Sequence, residues 1–164
     1  MYEEEWENIL GFPNYMISTH GRVRNIKHGR LVKMSTTKQG AMKVSLYSEN
    51  NRITKSVKVL VAEAFLPGRT DQFDTAMHLD GDQSNNRIEN LVWRPRWFAW
   101  KYSRQFDYLE QYLKLGPVYE IRSKKEYSSV AEAGMSNGLL FNEIDFGISN
   151  KVAVFPTWQQ FEWK

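Results

Sequence analysis

The chain has 164 residues, enough for one ordinary domain or two small ones, and its 41% hydrophobic and 25% charged residues are typical of a folded protein. The net charge is +3, the lack of cysteine excludes disulfides and thiolate zinc sites, and three histidines leave mainly oxygen ligands for a metal. No run reaches the roughly 18 apolar residues of a membrane helix, and the acidic N-terminus is unlike a signal peptide, so we expect a soluble intracellular protein.

Residues 14–60 have the pattern of an antiparallel β meander. Short runs rich in β-branched and aromatic residues alternate with Gly or with the Asn50–Asn51 pair, both of which are turn signals. The predicted strands are "YMIST", "HGRVRNI", "GRLVKMS", "AMKVSLYS" and "RITKSVKV".

A helix is predicted over residues 56–65, because its apolar residues share one helix face and "LPG" follows it. After a loop comes the stretch 75–93, "TAMHLDGDQSNNRIENLVW", whose centre is predicted as a turn and whose "LVW" is predicted as a short return strand. The next helix has Pro95 near its first turn and Gly116 after its end. Residues 117–164 are predicted as strand, helix, short helix and strand.

The stretch 75–93 contains the residue types of a phosphodiester-cleaving site. Such a site needs a general base and a divalent cation, and His78 at a strand end is a candidate base. Asn90 is a candidate support for this imidazole or for the loop. Asp80 and Asp82 flank Gly81 in a predicted tight turn, where their carboxylates equally suit the capping of backbone N–H groups. From the residues alone, a catalytic and a structural role remain open.

Basic residues are concentrated in two parts of the sequence. Residues 11–69 contain eleven Lys or Arg against two Glu, and residues 94–104 contain four bases and no acid, whereas residues 71–92 contain five acids and one Arg. Such a surface, interleaved with aromatic residues, favours a polyanion such as double-stranded DNA; the alternative is a solvated basic face without a partner. The predicted DNA-binding residues are Arg22, Arg24, Lys27, Arg30, Lys33, Lys38, Lys43, Arg94, Arg96, Lys101 and Arg104. On the strands we expect them to form a stripe along one face.

Three segments resemble a known family. "EEWENILGFPNYMISTHGRVRNI", "VLVAEAFLP" and "MHLDGDQSNNRIENLVW" are similar, in this order, to phage and intron-encoded HNH homing endonucleases, and "VYEI" and "YSSVAEAG" resemble the DNA-reading module that often follows. The resemblance implies an α+β protein with three parts: an N-terminal antiparallel β module over 1–55, a ββα-metal (HNH) core over 56–115, and a small C-terminal α/β module, helix-turn-helix-like, over 116–164.

The resemblance also assigns roles to single residues. His78 matches the general base of the family, and Asn90 matches the asparagine that supports the loop and substrate. The two metal-ligand positions of the family fall on Met77 and Ala99, and a further family histidine is replaced by Lys58. A thioether is a soft, weak donor and an alanine has none, so a hard Mg²⁺ ion would lack its ligands.

These replacements predict a DNA-binding pseudo-nuclease without a metal cofactor. The alternative is an active, Mg²⁺-dependent endonuclease that nicks double-stranded DNA with His78 as general base and with Asp80 as a substitute metal ligand. Neither alternative involves a membrane. The family resemblance places the protein in the cytoplasm of a phage-infected bacterial cell.

The C-terminal segment departs from a DNA-reading module. Where basic or amide residues would enter the major groove, the chain has "LLFNEIDFGIS", with Glu143, Asp145 and several large apolar residues. We therefore predict that residues 117–164 contact a protein, for instance RNA polymerase, and that the chain is a phage regulator of transcription. If they do not, Trp158, Phe161 and Trp163 are core residues.

Overall fold

The fold was determined as a computed structural model that describes residues 3–49 and 51–164; Asn50 of the predicted Asn–Asn turn lies outside the described residues. The chain forms two compact units, Met1–Arg96 and Trp97–Lys164. It is a mixed α+β protein with antiparallel sheets, as the sequence predicted.

The first part of the N-terminal unit is the predicted antiparallel meander, divided into two sheets. The four-stranded sheet has the order β1-β2-β3-β4 and the three-stranded sheet the order β5-β6-β7. The strands are β1 Trp6–Asn8, β2 Tyr15–Ser18, β3 Val23–Asn25, β4 Arg30–Leu31, β5 Met34–Thr36, β6 Met42–Ser48 and β7 Asn51–Ser56. Alternate residues such as Ile17 and Leu46 are buried, so one face of each sheet packs into a common core.

The second part is a helix and a long-looped hairpin. Helix α1 (Val57–Phe65) buries Val57, Leu60 and Val61 in that core. Strand β8 (Thr75–His78) pairs antiparallel with β9 (Leu91–Arg94), the predicted return strand. The asparagine-rich segment between them is a turn followed by a short 3₁₀ helix, Ile88–Asn90.

The C-terminal unit has its own core. Its elements are α2 (Arg96–Gln105), α3 (Leu109–Leu113), β10 (Val118–Glu120), β11 (Glu126–Tyr127), α4 (Val130–Asn137), α5 (Phe141–Asn150) and β12 (Phe161–Trp163). The strands form a sheet in the order β11-β10-β12. The predicted order of strand, helix, helix and strand is present, with β11 as an addition. The second helix was predicted to be short, but with 10 residues α5 is longer than α4, which has 8.

The helix predicted after the hairpin is interrupted. Helix α2 ends at Gln105, a 3₁₀ turn covers Phe106–Tyr108, and α3 follows. This turn places the ring of Phe106 against those of Tyr102 and Phe141, with centroid distances of 5.6 and 5.7 Å. Aromatic packing thus accompanies a change of helical geometry that apolar periodicity does not reveal.

Helices α4 and α5 are joined by residues 138–140. The Oγ of Ser129 accepts a hydrogen bond from the backbone N–H of Glu132 and caps α4, and Gly138 ends α4 at a φ of 61°. Whether this pair acts as a helix-turn-helix module stays a prediction. Within residues 3–49 and 51–164, no helix combines the length and the apolar character needed to span a bilayer.

Candidate functional site

The candidate site is centred on His78, the last residue of β8, which pairs in register with Leu91 of β9. The side chain is only 6% exposed. Successive side chains of a strand alternate between faces, so Met77, also buried, points to the opposite face of β8.

A buried hydrogen bond fixes the His78 imidazole. Its Nε2 lies 3.0 Å from Oδ1 of Asn86, and Nδ2 of Asn86 donates to the carbonyl oxygen of Ser84 at 3.1 Å. This second bond orients the amide, so that Oδ1 faces the ring and Nε2 of His78 is the donor. In the neutral imidazole the proton therefore resides on Nε2, and Nδ1 carries the lone pair that can accept a proton.

The surroundings of His78 favour this neutral form. Burial lowers the pKa of His78, and the hydrogen bond to Asn86 acts in the opposite direction. The positive charge of Lys58 also lowers the pKa of His78, whereas Asp80 and Asp82 raise it. Burial lowers the pKa of Lys58 itself.

Asp80 is a structural centre of the loop. Its Oδ1 accepts from the backbone N–H of Asp82 at 2.8 Å and from Nδ2 of Asn90 at 2.8 Å. Its Oδ2 accepts from Nδ2 of Asn85 at 2.7 Å. Both carboxylate oxygens are thus engaged in shaping the turn.

Asn90 is buried and closes the loop from the other side. Its Oδ1 accepts from the backbone N–H of Asp80 at 3.0 Å, and its Nδ2 also donates to the carbonyl oxygen of Asn85 at 2.8 Å. Asn90 is therefore hydrogen-bonded to the loop. The hydrogen-bond partner of His78 is Asn86. No functional role was assigned to Asn86 from the sequence, and no signal in the sequence distinguishes the two asparagines.

Asp82 and Gly81 complete the turn. The Oδ1 of Asp82 accepts from the backbone N–H and from Oγ of Ser84, at 2.8 and 2.7 Å, which lowers the pKa of Asp82. Gly81 has a φ of 78°, in the left-handed region. The capping role that the sequence left open for the two aspartates is therefore the role that their hydrogen bonds show.

The residues at the candidate metal-ligand positions do not fit a hard divalent cation. Met77 offers a buried thioether, the oxygens of Asp80 are engaged in the turn, and Ala99 on α2 has a methyl side chain. Across the part of the chain that the structure describes, no three His, Cys, Asp or Glu side chains form a group that could hold a metal ion.

The turn between β2 and β3 packs on the hairpin loop. A Cβ on Gly21 would lie 2.9 Å from Cβ of Asn86, the partner of His78. The backbone N–H of Ile88 donates to the carbonyl oxygen of Thr19 at 2.8 Å, and the side chains of Arg87 and His20 are hydrogen-bonded at 2.9 Å. The N-terminal sheet thus supports the residue that orients the histidine.

The predicted stripe of basic residues is only partly formed. Arg22 and Arg24 lie over the ring of Trp6, with Cζ 5.8 and 4.6 Å from its centroid, on the solvent-facing side of the first sheet. Arg24 pairs with Leu31 in register, so the neighbouring Arg30 is on the other side of the sheet. Arg22 is also bound by Glu4 through an ion pair. The prediction of one face is therefore wrong for Arg24 and Arg30.

A second basic face lies on the outer side of β5-β6-β7. Val44 and Leu46 point into the core, so Lys43, Ser45 and Tyr47 point outward. Arg52 pairs with Tyr47 in register and donates to Oγ of Ser45 at 3.0 Å. Sequence reasoning missed Arg52, which lies on the same outward face of β7 as Thr54, two residues further along the strand.

The remaining predicted cations differ in exposure. The exposed ones are Lys27, Arg30, Lys33, Lys38, Arg96, Lys101 and Arg104. Arg94 is an exception: it is 7% exposed, and its Nη1 donates to the carbonyl oxygen of Trp93 at 3.0 Å. Arg94 is therefore a buried arginine, and the prediction of an exposed, phosphate-facing side chain does not describe it.

The chain is similar in sequence to known proteins. A motif described as the NUMOD4 motif matches residues 4–47. An uncharacterized HNH endonuclease, L245, of Acanthamoeba polyphaga mimivirus is 39% identical over 89 residues, which are 54% of this chain and 26% of that protein. The DNA endonuclease I-HmuI of Bacillus phage SP01 is 33% identical over 90 residues, 54% of this chain and 51% of that enzyme. This chain thus matches about half or less of the length of these curated relatives.

A solved structure extends the similarity to the whole fold. It is described as DNA binding and cleavage by the HNH homing endonuclease I-HmuI, and it shares 25% sequence identity with this chain. The superposition has a TM-score of 0.56 and covers 98% of both chains. In sequence and in fold, this chain is a relative of the HNH homing endonucleases.

Proposed function

We propose that this protein binds double-stranded DNA through its N-terminal unit. The observation that carries this proposal is the outer face of β5-β6-β7, where Lys43 and Arg52 project beside Ser45, Tyr47 and Thr54. Cations and hydroxyl groups on one sheet face are the groups that contact phosphates without reading sequence. The DNA-bound relative I-HmuI supports the same ligand, as do Arg22 and Arg24 on the first sheet.

The proposal includes a steep dependence of affinity on salt, because each phosphate contact releases counterions. The test is a titration of a labelled duplex of mixed sequence at several salt concentrations. An affinity that stays flat from low to physiological salt would contradict an electrostatic interface.

We further propose that this DNA-binding protein does not cleave its ligand and requires no metal cofactor. The support is the donor set described above: Met77 presents a buried thioether, Ala99 presents no donor, and both oxygens of Asp80 already accept hydrogen bonds. A histidine base alone is not enough for cleavage, because the negative charge that develops on the phosphodiester in the transition state must also be neutralised.

A plasmid-nicking assay with Mg²⁺ or Mn²⁺ tests this proposal. We expect the wild-type protein to leave supercoiled plasmid intact at concentrations where it shifts the plasmid in a gel. Nicking that disappears in His78→Ala and in His78→Gln would contradict the proposal. The second variant retains a donor toward Asn86, which separates loss of the base from loss of the fold.

The alternative function, an active Mg²⁺-dependent nickase, is favoured by one observation. The hydrogen bond from Nε2 to Asn86 leaves the lone pair of His78 on Nδ1, and burial lowers the pKa of the ring, which favours its neutral form. This is the state that a general base requires. The same nicking assay decides between the two functions.

The proposal of a phage regulator rests on the C-terminal unit. Leu139, Leu140, Phe141 and Ile144 are buried, so most of the apolar residues in "LLFNEIDFGIS" are core. Phe146 and Trp158, however, are exposed, which supports a protein contact through residues 117–164. In this proposal the protein partner is RNA polymerase, and the location is the cytoplasm of a phage-infected cell.

A pulldown from host lysate tests the regulator proposal. We expect Phe146→Ser and Trp158→Ser together to abolish capture of a polymerase subunit while DNA binding is kept. Capture that is unaffected by these variants would contradict a role for this surface.

A further inference from the structure

The C-terminal unit contains a surface cavity that the proposed DNA-binding function does not use. Its volume is about 390 Å³, which is the size of a small-molecule site. The walls are formed by α2, the 3₁₀ turn, α3 and the start of α5. The residues that matter are Trp100, Lys101, Arg104, Gln105, Tyr108 and Asn142.

Two aromatic rings stand exposed at this cavity. Trp100 is 61% and Tyr108 64% exposed. The guanidinium carbon of Arg104 lies 5.0 Å from the centroid of the Trp100 ring. Single exposed aromatic residues are ordinary, but two rings and a cation on the wall of one cavity are the arrangement on which unpaired bases stack.

The inner wall contains the buried side-chain amide of Gln105, whose N–H donor lacks an acceptor among the described residues. Gln105 is 8% exposed, and its Oε1 accepts from the backbone N–H of Phe141 at 2.8 Å. A backbone N–H can only donate, so this bond fixes which end of the amide is oxygen. The Nε2 of Gln105 has no hydrogen-bond acceptor among the described residues. Buried donors are nearly always satisfied, so this one points to an acceptor that comes from outside the chain.

The polar groups of the cavity suit a planar, polar ring with an attached anion. Asn142 adds an amide that both donates and accepts, and Lys101 and Arg104 add exposed positive charge. Glu143 is also on the wall, where burial raises its pKa and the charge of Lys101 lowers it. A purely apolar ligand would leave the Gln105 amide without an acceptor, and a bare phosphate would leave the aromatic rings without a partner.

We propose that this cavity binds one unpaired nucleobase of a DNA strand. The base lies against the exposed rings of Trp100 and Tyr108, its carbonyl oxygen accepts from the amide of Gln105, and its phosphate is neutralised by Arg104 and Lys101. This inference rests on the proposed function as a DNA-binding protein and adds a preference for DNA with an unpaired base. The base comes from single-stranded or distorted DNA, because a paired base is inside the stack.

Fluorescence anisotropy with two probes tests this inference. The probes are a labelled oligothymidylate and a fully paired duplex of mixed sequence. We expect Trp100→Ala to weaken oligothymidylate binding about tenfold, the effect of removing one base–aromatic stack, without changing duplex affinity. Trp100→Phe keeps a ring and should retain most of the affinity. Trp158→Ala is the matched control, because it removes another exposed tryptophan of the same unit that does not line this cavity.

A direct readout is the side-chain amide of Gln105. Its ¹⁵N-resolved NMR signal should shift when thymidine monophosphate is added, and this shift should be absent in Trp100→Ala. An equal decrease in affinity for both probes in Trp100→Ala would overturn the inference, since Trp100 would then belong to a general DNA surface. Duplex binding without oligothymidylate binding would also overturn it and leave the proposed function intact. Failure to bind either probe would overturn both.

Discussion

Asp80 and Asn90 hold each other across the hairpin loop through two hydrogen bonds. The Oδ1 of Asn90 accepts from the backbone N–H of Asp80 at 3.0 Å, and its Nδ2 donates to the Asp80 carboxylate at 2.8 Å. Because this carboxylate also binds the backbone of Asp82 and the side chain of Asn85, the pair defines the turn that follows His78. The loop is thus built around a carboxylate whose two oxygens both accept hydrogen bonds from the loop itself.

Asn90→Ala should lower the free energy of unfolding by about 2–4 kcal/mol, because it leaves buried polar partners unsatisfied. Asn85→Ala is the control: it removes a single side-chain hydrogen bond to Asp80 and should cost about 1 kcal/mol or less. Urea unfolding at neutral pH measures both. Equal costs for the two variants would contradict the central position of Asn90.

His78 should make stability depend on pH. Burial lowers the pKa of His78 below the value of about 6.5 that it has in the unfolded chain, so the unfolded state binds more protons near pH 6. The stability from the neutral ring is fully present well above the unfolded-state pKa and is lost as pH falls through the lower folded-state pKa. His78→Gln should flatten the slope of unfolding free energy against pH, by at most about 1.4 kcal/mol per pH unit.

Urea unfolding from pH 5 to pH 8 checks this dependence. His28→Gln is the matched control, since His28 is an exposed turn residue. If His28→Gln flattened the slope as much as His78→Gln, the assignment to the buried ring would be wrong.

Gly21 should tolerate no side chain. Its φ is 78°, and a Cβ would lie 2.9 Å from Cβ of Asn86 and 3.1 Å from its carbonyl oxygen. Gly21→Ala should cost about 2–5 kcal/mol, from left-handed backbone strain plus overpacking. Gly29 has a φ of 62° and nothing within 4 Å of a built Cβ, so Gly29→Ala should cost only about 1–2 kcal/mol. Thermal unfolding of the two variants isolates the contact with Asn86.

Restoring oxygen donors should restore cleavage if only the metal ligands have been replaced. The resemblance assigns the two ligand positions to Met77 and Ala99, so Met77→Asp combined with Ala99→Asn should produce nicking that requires Mg²⁺ or Mn²⁺. Adding His78→Ala to this double variant should abolish that activity. A plasmid assay with and without chelator measures it, and a stable, DNA-binding double variant without activity would count against the proposed ancestry of the site.

Lys43 and Arg52 should contribute to DNA affinity by neutralising phosphates. Lys43→Gln combined with Arg52→Gln should reduce the slope of log affinity against log salt by about 2, because each of the two cations neutralises one phosphate. Lys114→Gln combined with Lys164→Gln removes the same charge from residues that pair with Glu110 and Glu126. A similar change of slope in this control pair would indicate that net charge, and not the outer face of β5-β6-β7, governs binding.

Much of the fold was predictable because local sequence patterns indicate its strands, helix and turns. Short strand-like runs separated by turn residues indicated the meander, and helical periodicity indicated α1. The asparagine-rich centre and the Asp–Gly pair indicated the turn after His78. The interruption at Phe106 was not predictable, because it accompanies ring contacts with Tyr102 and Phe141 that are not visible in the local sequence.

The candidate site was less predictable for the same reason. His78 was identified from its setting at a strand end. Asn90 was a candidate support for the ring or for the loop, and its hydrogen bonds are to the loop, whereas the fold brings Asn86 to the ring. Arg94 was counted with the DNA-binding cations because its charge is visible in the sequence, whereas its burial is visible only in the fold. Arg52 was missed because single outward positions of a strand carry no signal until the register is known.

The packing of Gly21 on Asn86 limits how the parts of such proteins can be exchanged. A chimera that joined the first fifty or so residues of one relative to the hairpin of another would bring together two surfaces that were selected separately. A side chain on one of them would then displace the asparagine that orients His78. Crossovers in designed chimeras should therefore follow β9, so that the sheet, the helix and the hairpin are inherited together.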